Sequence, residues 1–172
     1  MDIDIPALYT NIKDTPFAAN LRRALERKTN IALILGLIDD INRIRGMYGL
    51  VSCDTTLQTI EQIFHGRFGE CSVRAYEIFL FLVTGDEAAN AKEIAESIRA
   101  AVENGGLVVP TLAAEPIDLF PLAERVHITM HFGVTRASSN WSSVNGFDEL
   151  LKAAQKAINE GRRKLVANRV FV

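Results

Sequence analysis

Ile31–Ile38 reads Ile-Ala-Leu-Ile-Leu-Gly-Leu-Ile and is followed at once by Asp39-Asp40. Carboxylates at the end of a buried strand suit metal-assisted phosphoryl transfer, because magnesium takes hard oxygen ligands and offsets phosphate charge. Side chains alternate along a strand, so the inward positions leading to this end are Leu35 and Leu37. Neither holds a cation. Asp39 or Asp40 instead suits the N-cap of a following helix, whose Ile41, Ile44 and Met47-Tyr48 fall at helical spacing. The outline is that of a ligand site at the carboxyl end of a strand, with leucine where an acid is needed.

The remaining reactive side chains are scattered. Cys53 and Cys71 form no CxxC pair and no Cys/His cluster, which argues against zinc and for reduced thiols in a cytoplasmic protein. His131 stands alone on an alternating strand, a pattern more typical of a hydrogen-bonded structural histidine than of a metal ligand. Trp141 lies in a polar loop, where it either faces a partner or covers the core. Arg162-Arg163-Lys164 end the last helix, where positive charge complements the helix dipole. The formal net charge of −2 provides no basic field for nucleic acid. No apolar run approaches the roughly 20 residues that span a bilayer. The N-terminus lacks the basic-then-apolar order of a secretory signal.

These residues must be positioned by a chain of 172 residues, enough for one domain with a full core. Residues 1–13 read as a lead-in to a domain covering 14–172. Pro16 to Lys28 has a helical stripe of Phe17, Leu21 and Leu25, capped by Asp14 or Thr15. The continuous apolar run of Ile31–Ile38 fits a strand buried on both faces. After its helix, Asp54 is expected to cap another, with Leu57, Ile60, Ile63 and Phe64 inside. Glu70 to Tyr76 and Glu77 to Thr84 predict a hairpin turning near Ala75-Tyr76, without the glycines that tight turns favour. Asp86 to Asn104 predicts a helix ended by Gly105-Gly106. Leu107 to Arg125, with three prolines, predicts an irregular excursion with a short strand at Leu107 to Val109. Val126 to Thr135, Phe147 to Arg163 and Asn168 to Val172 predict strand, helix and strand. The class is α/β (α+β): a mixed sheet containing an antiparallel hairpin, flanked by helices.

With the elements in order, a family pattern emerges. Asp14 to Arg23 looks like an entry helix motif, Leu37-Ile38-Asp39 with Tyr48-Gly49 stands in the place of D-x-D…Y-G-H, and Cys53-Asp54-x-x-Leu57 stands for G-D-x-x-L. Ala95 to Arg99 is similar to A-E-x-I-R, Ile128 to Val134 to I-T-V-S-I-G-V, Ala154 to Ile158 to A-D-x-A-L, and Asn168 to Val170 to N-R-V. Over nearly its whole length the chain resembles the GGDEF family, the diguanylate cyclases. The resemblance implies a palm-like fold in which two domains each hold one GTP and join them into cyclic di-GMP with the help of magnesium ions.

The resemblance also implies where the chemistry is lost. The family's first metal aspartate falls on Leu37. Its guanine-reading asparagine falls on Arg45, which only donates hydrogen bonds. Its second guanine-reading carboxylate is kept as Asp54. The signature becomes Arg74-Ala75-Tyr76-Glu77-Ile78 without gaps, or ends at Phe79 if the turn is one residue shorter. In either register the glycines are gone and Glu77 remains as an acidic group. Arg67 and Glu70 resemble the product-inhibition motif R-x-x-D, or form a plain surface pair; arginine grips guanine or phosphate through parallel bonds. Arg162 stands near the family's phosphate-binding residues. The expectation is a degenerate, catalytically inactive domain with no catalytic or metal residues. It would act as a regulatory module through a protein partner or homodimer. The alternative is a receptor for cyclic di-GMP or GTP through Asp54, Glu77, Arg162, Arg67 and Glu70, with magnesium only if nucleotide is retained.

Overall fold

The computed structural model describes residues 3–39, 41–104, 128–137, 146–163 and 169–172. Unbroken apolar sequence puts β1 (Ile31–Ile38) at the centre, with every residue buried. On one edge β1 pairs antiparallel with β3 (Ile78–Thr84), from Ile31 opposite Thr84 to Leu37 opposite Ile78. On the other it pairs antiparallel with β4 (Met130–Ala137), from Ile31 opposite Ala137 to Ile38 opposite Met130. β2 (Ser72–Ala75) forms a hairpin with β3, and β5 (Val170–Phe171) runs parallel to β4. The result is a five-stranded mixed sheet in the order β2-β3-β1-β4-β5, with the antiparallel hairpin and flanking helices expected from the sequence.

Strand alternation sorts the core into two layers. Ile34, Ile38, Phe79, Phe81 and Phe132 face α3 (Ile41–Phe68) and α4 (Ala91–Asn104). There Phe64 meets Phe79 and Phe81 edge-on, at centroid distances of 5.4 and 4.8 Å. Leu33, Leu35, Leu37, Leu80 and Leu82 face α1 (Ile5–Ile12), α2 (Pro16–Glu26) and α5 (Gly146–Arg163). The α5 helix lies almost on β4. A Cβ on Gly133 would run into the Ala154 carbonyl oxygen and come within 2.7 Å of Ile158 Cγ1.

Several boundaries differ from the sequence reading. Most of the lead-in is helix α1: the Asp4 carboxylate caps it by accepting from the Ala7 N–H at 3.1 Å, and Leu8 and Ile12 are buried. Thr15 caps α2. Asp54 is not a cap. The helix breaks earlier, at Gly49, whose φ of 82° is left-handed and natural only for glycine. Asp54 therefore lies inside the second half of α3, accepting from Gln58 Nε2 at 2.9 Å. The hairpin turn is Tyr76-Glu77, between paired Ala75 and Ile78. A 3-10 turn over Gly85–Asn90 precedes α4. Asp40, the Leu107 to Arg125 excursion with its strand at Leu107 to Val109, and the Trp141 loop lie outside the described residues. Among those described, no helix is long and apolar enough to cross a membrane.

Candidate functional site

Helix α3 runs past the hairpin, and charged side chains join the two. Arg45 forms an ion pair with Glu77. Arg74 of β2 donates from Nε to Glu61 Oε2 at 2.7 Å, lies 4.0 Å from Asp54 Oδ1, and donates from Nη1 to the Tyr76 carbonyl at 3.0 Å. Arg74 thus holds its own turn and ties it to the helix. Tyr76 is 65% exposed and takes φ 57°, a conformation that two-residue hairpins normally give to glycine. Its hydroxyl oxygen accepts from Asn11 Nδ2 at 3.1 Å, so α1 props the turn from the other side.

Beside this turn, Leu37 stands opposite Ile78 in the β1–β3 register, and both are buried. A hard cation takes several oxygen ligands. The strand end offers none from Leu37 or Ile78, and among the described residues the nearby carboxylates are already engaged: Glu77 by Arg45, Asp54 and Glu61 by Arg74, and Asp39 by Thr129 and His131. These residues do not fit a magnesium ion. Leu50 and Val51, on the same half of α3 as Asp54, are 70% and 63% exposed.

Across β1 lies a half-buried polar cluster centred on the buried His131. Asp39 accepts from Thr129 Oγ1 at 2.8 Å, and its backbone N–H donates to the Thr129 carbonyl at 2.9 Å. Its other carboxylate oxygen lies 2.5 Å from Nδ1 of His131, which is 3% exposed and stands opposite Leu37. An ionised carboxylate only accepts, so Nδ1 carries the proton. His131 Nε2 has no partner among the described residues. Asp39 therefore fastens the end of β1 to β4. His131 is hydrogen-bonded, through Nδ1, to Asp39.

The structure brings Asp54 and Glu77 to one place, linked through Arg74 and the turn. It does not pair Arg67 with Glu70. Arg67 donates to Ser97 Oγ on α4 at 3.2 Å and lies over the Phe68 ring at 5.4 Å, while the Glu70 carbonyl accepts from Asn20 Nδ2 at 3.4 Å. Arg162 is in the last turn of α5, and its side chain is outside the described residues. Sequence reasoning missed the Arg45–Glu77 and Asp39–His131 pairs. No local signal marks them, since their partners come from distant elements.

Cys71, next to Glu70, is half-buried. Burial first, and the Glu70 charge second, push its thiol pKa up. At pH 8 its thiolate fraction is then below that of free cysteine. Iodoacetamide is expected to label Cys71 more slowly than free cysteine at pH 8, with the difference closing as pH rises. The unfolded thiol ionises first, so the associated stability is present below the unfolded pKa and is lost as pH rises through the folded one. Mass spectrometry of the Cys71 peptide reads the rates, and equal rates at pH 8 would contradict the shift.

No protein-family model matches the chain, and no curated protein sequence is similar to it. Solved structures are. The active GGEEF domain of a diguanylate cyclase from Vibrio cholerae superposes with TM-score 0.69 at 17% identity, covering 90% of this chain and 92% of that one. The GGDEF domain of DgcB from Caulobacter crescentus, in complex with c-di-GMP, gives 0.69 at 19% identity, covering 90% and 86%. The diguanylate cyclase SiaD from Pseudomonas aeruginosa, in complex with its activator SiaC, gives 0.64 at 19% identity, covering 88% of this chain and 55% of that one.

Proposed function

From the premise that the chain has the GGDEF-domain fold, we propose that it is a signalling module of the cyclic di-GMP system that performs no cyclase turnover and works by protein contact. The observation that carries this is the Arg45–Glu77 ion pair beside Leu37 and Ile78. Two-metal phosphoryl transfer needs mobile divalent charge on attacking and leaving oxygens, held by several carboxylates. Here a fixed guanidinium neutralises the one carboxylate at the turn, and a guanidinium ligates no metal. A protein-contact role is supported by what surrounds the pair. Tyr76 is exposed beside Arg74, and tyrosine and arginine are side chains that often anchor interfaces, while Leu50 and Val51 expose apolar surface on α3. SiaD, whose chain contains this fold, is seen in complex with its activator SiaC.

A second reading, a cyclic di-GMP receptor, rests on Arg67. Its guanidinium is exposed and is held by a neutral serine, with no carboxylate partner among the described residues. The DgcB domain in complex with c-di-GMP is a precedent for the fold. Calorimetry with GTP plus magnesium, and separately with cyclic di-GMP, separates the readings. The scaffold reading expects no heat from either and no cyclic product by chromatography. Synthesis of cyclic di-GMP by the purified chain would overturn the proposal. Binding without turnover would select the receptor, and Arg67→Ala should then abolish it.

A further inference from the structure

A cavity of about 580 Å³ opens between α1, α2 and α5, away from the residues of the hairpin site. That volume lies within the range of small-molecule pockets. Its floor is apolar and solid: Ala18, Leu21 and Leu25 of α2 are buried beneath it. Two aromatic side chains flank it, Tyr9 of α1 and Phe147 of α5, with ring centroids 5.5 Å apart and planes tilted by 53°. The rim carries Arg22 from α2 and Lys152 from α5. Among the described residues Arg22 donates only to the Lys13 carbonyl, at 3.4 Å. Neither cation is in an ion pair with a described carboxylate, Asp148 on the same rim included.

We infer that this cavity binds a small amphiphilic anion, with an acyl or aryl body on the leucine floor and an acidic head between Arg22 and Lys152. An apolar floor favours a ligand body by removing its surface from water. Cations from two different helices, opposed by one acid, select a single negative charge over a neutral or cationic head. This site is independent of the hairpin reading and involves no metal or nucleotide.

The test uses 8-anilinonaphthalene-1-sulfonate as the aryl probe and decanoate as the acyl one. The sulfonate should brighten on the native protein with saturable one-to-one binding, and decanoate should displace it while decanol at equal concentration does not. R22E/K152E, with its fold checked by circular dichroism, should lose at least about ten-fold in affinity, or 1.4 kcal/mol. Phe147→Ala should weaken the sulfonate more than decanoate, which distinguishes aryl from acyl ligands within the same site. Absent or unsaturable fluorescence would overturn the inference. So would undiminished binding to R22E/K152E, or displacement by decanol as effective as by decanoate. Sedimentation equilibrium showing a dimer that Tyr9→Glu dissociates would assign the cavity to a second copy and refute the small-anion reading.

Discussion

Gly133→Val is expected to cost at least about 3 kcal/mol, the upper part of the range for overpacked sites. At Gly133 the obstacle is backbone: the new Cβ would meet the Ala154 carbonyl, which no rotamer change can move. Relief requires lifting α5 from β4, and with it Leu150, Leu151 and Ile158, which are all buried in that layer. Domains of this kind are stable by only about 5–15 kcal/mol, so much of the margin disappears. Gly46→Ala serves as the control. Gly46 lies inside α3 with nothing within 4 Å of where an alanine methyl would sit, so alanine there should stabilise by roughly 0.5–1 kcal/mol through helix propensity. Urea unfolding of both variants decides. A Gly133→Val protein as stable as the parent would mean that α5 does not sit where described.

Asp39→Ala has the second largest expected effect. It strips the partner from the buried His131 ring, which already has one nitrogen unpaired among the described residues, and from the Thr129 hydroxyl. Asp39 itself is half-buried, but the His131 ring it holds is fully buried, so removing it costs about 3 kcal/mol because that ring stays desolvated without its partner. For a domain of this size that is a fall in Tm of roughly 6–12 °C. The asymmetry yields a sharper test. Asp39→Ala combined with His131→Leu removes both ends, so the pair should cost less than the sum of the single changes, with a coupling of at least about 1 kcal/mol. Strict additivity would show that the two side chains do not interact.

The layered fold was legible where one physical signal dominated. The apolar run of Ile31–Ile38 fitted a strand covered on both sides, and the stripes of Phe17, Leu21 and Leu25 and of Leu150, Leu151, Ala154, Ala157 and Ile158 marked helices α2 and α5, all of them buried but the half-buried Ala157. Local rules failed where they competed. Asp54 looked like a helix start, but the break belongs to Gly49, where the backbone turns left-handed. The lead-in carries a start signal of its own in Asp4 and Pro6, but the helix it opens is only eight residues long, too short for a periodic stripe to stand out. Asp39 or Asp40 read as a cap; the Asp39 carboxylate accepts from Thr129 and meets His131 of β4, and Asp40 lies outside the described residues. The hairpin was legible as two β-rich stretches, while its turn, with Tyr76 in a glycine conformation, was displaced by one residue. Of the candidate site, Asp54 and Glu77 were singled out as individual positions matched to the family pattern. Arg45 as the partner of Glu77 was not, because a cross-element pair exists only after folding.

The position of β1 also governs how this chain can be made. Its first edge is covered by β3, but its second waits for β4, about a hundred residues later in sequence. At translation speeds of about 5–20 residues per second, a nascent chain on the ribosome carries β1 with this second edge open for roughly 5–20 s, the first part of it before β3 has covered the other edge. During that interval an apolar strand with unpaired N–H and C=O groups is a template for association with other nascent chains. Fragments that stop short of residue 130 keep that edge open permanently, so they should be recovered as aggregates or bound to chaperones.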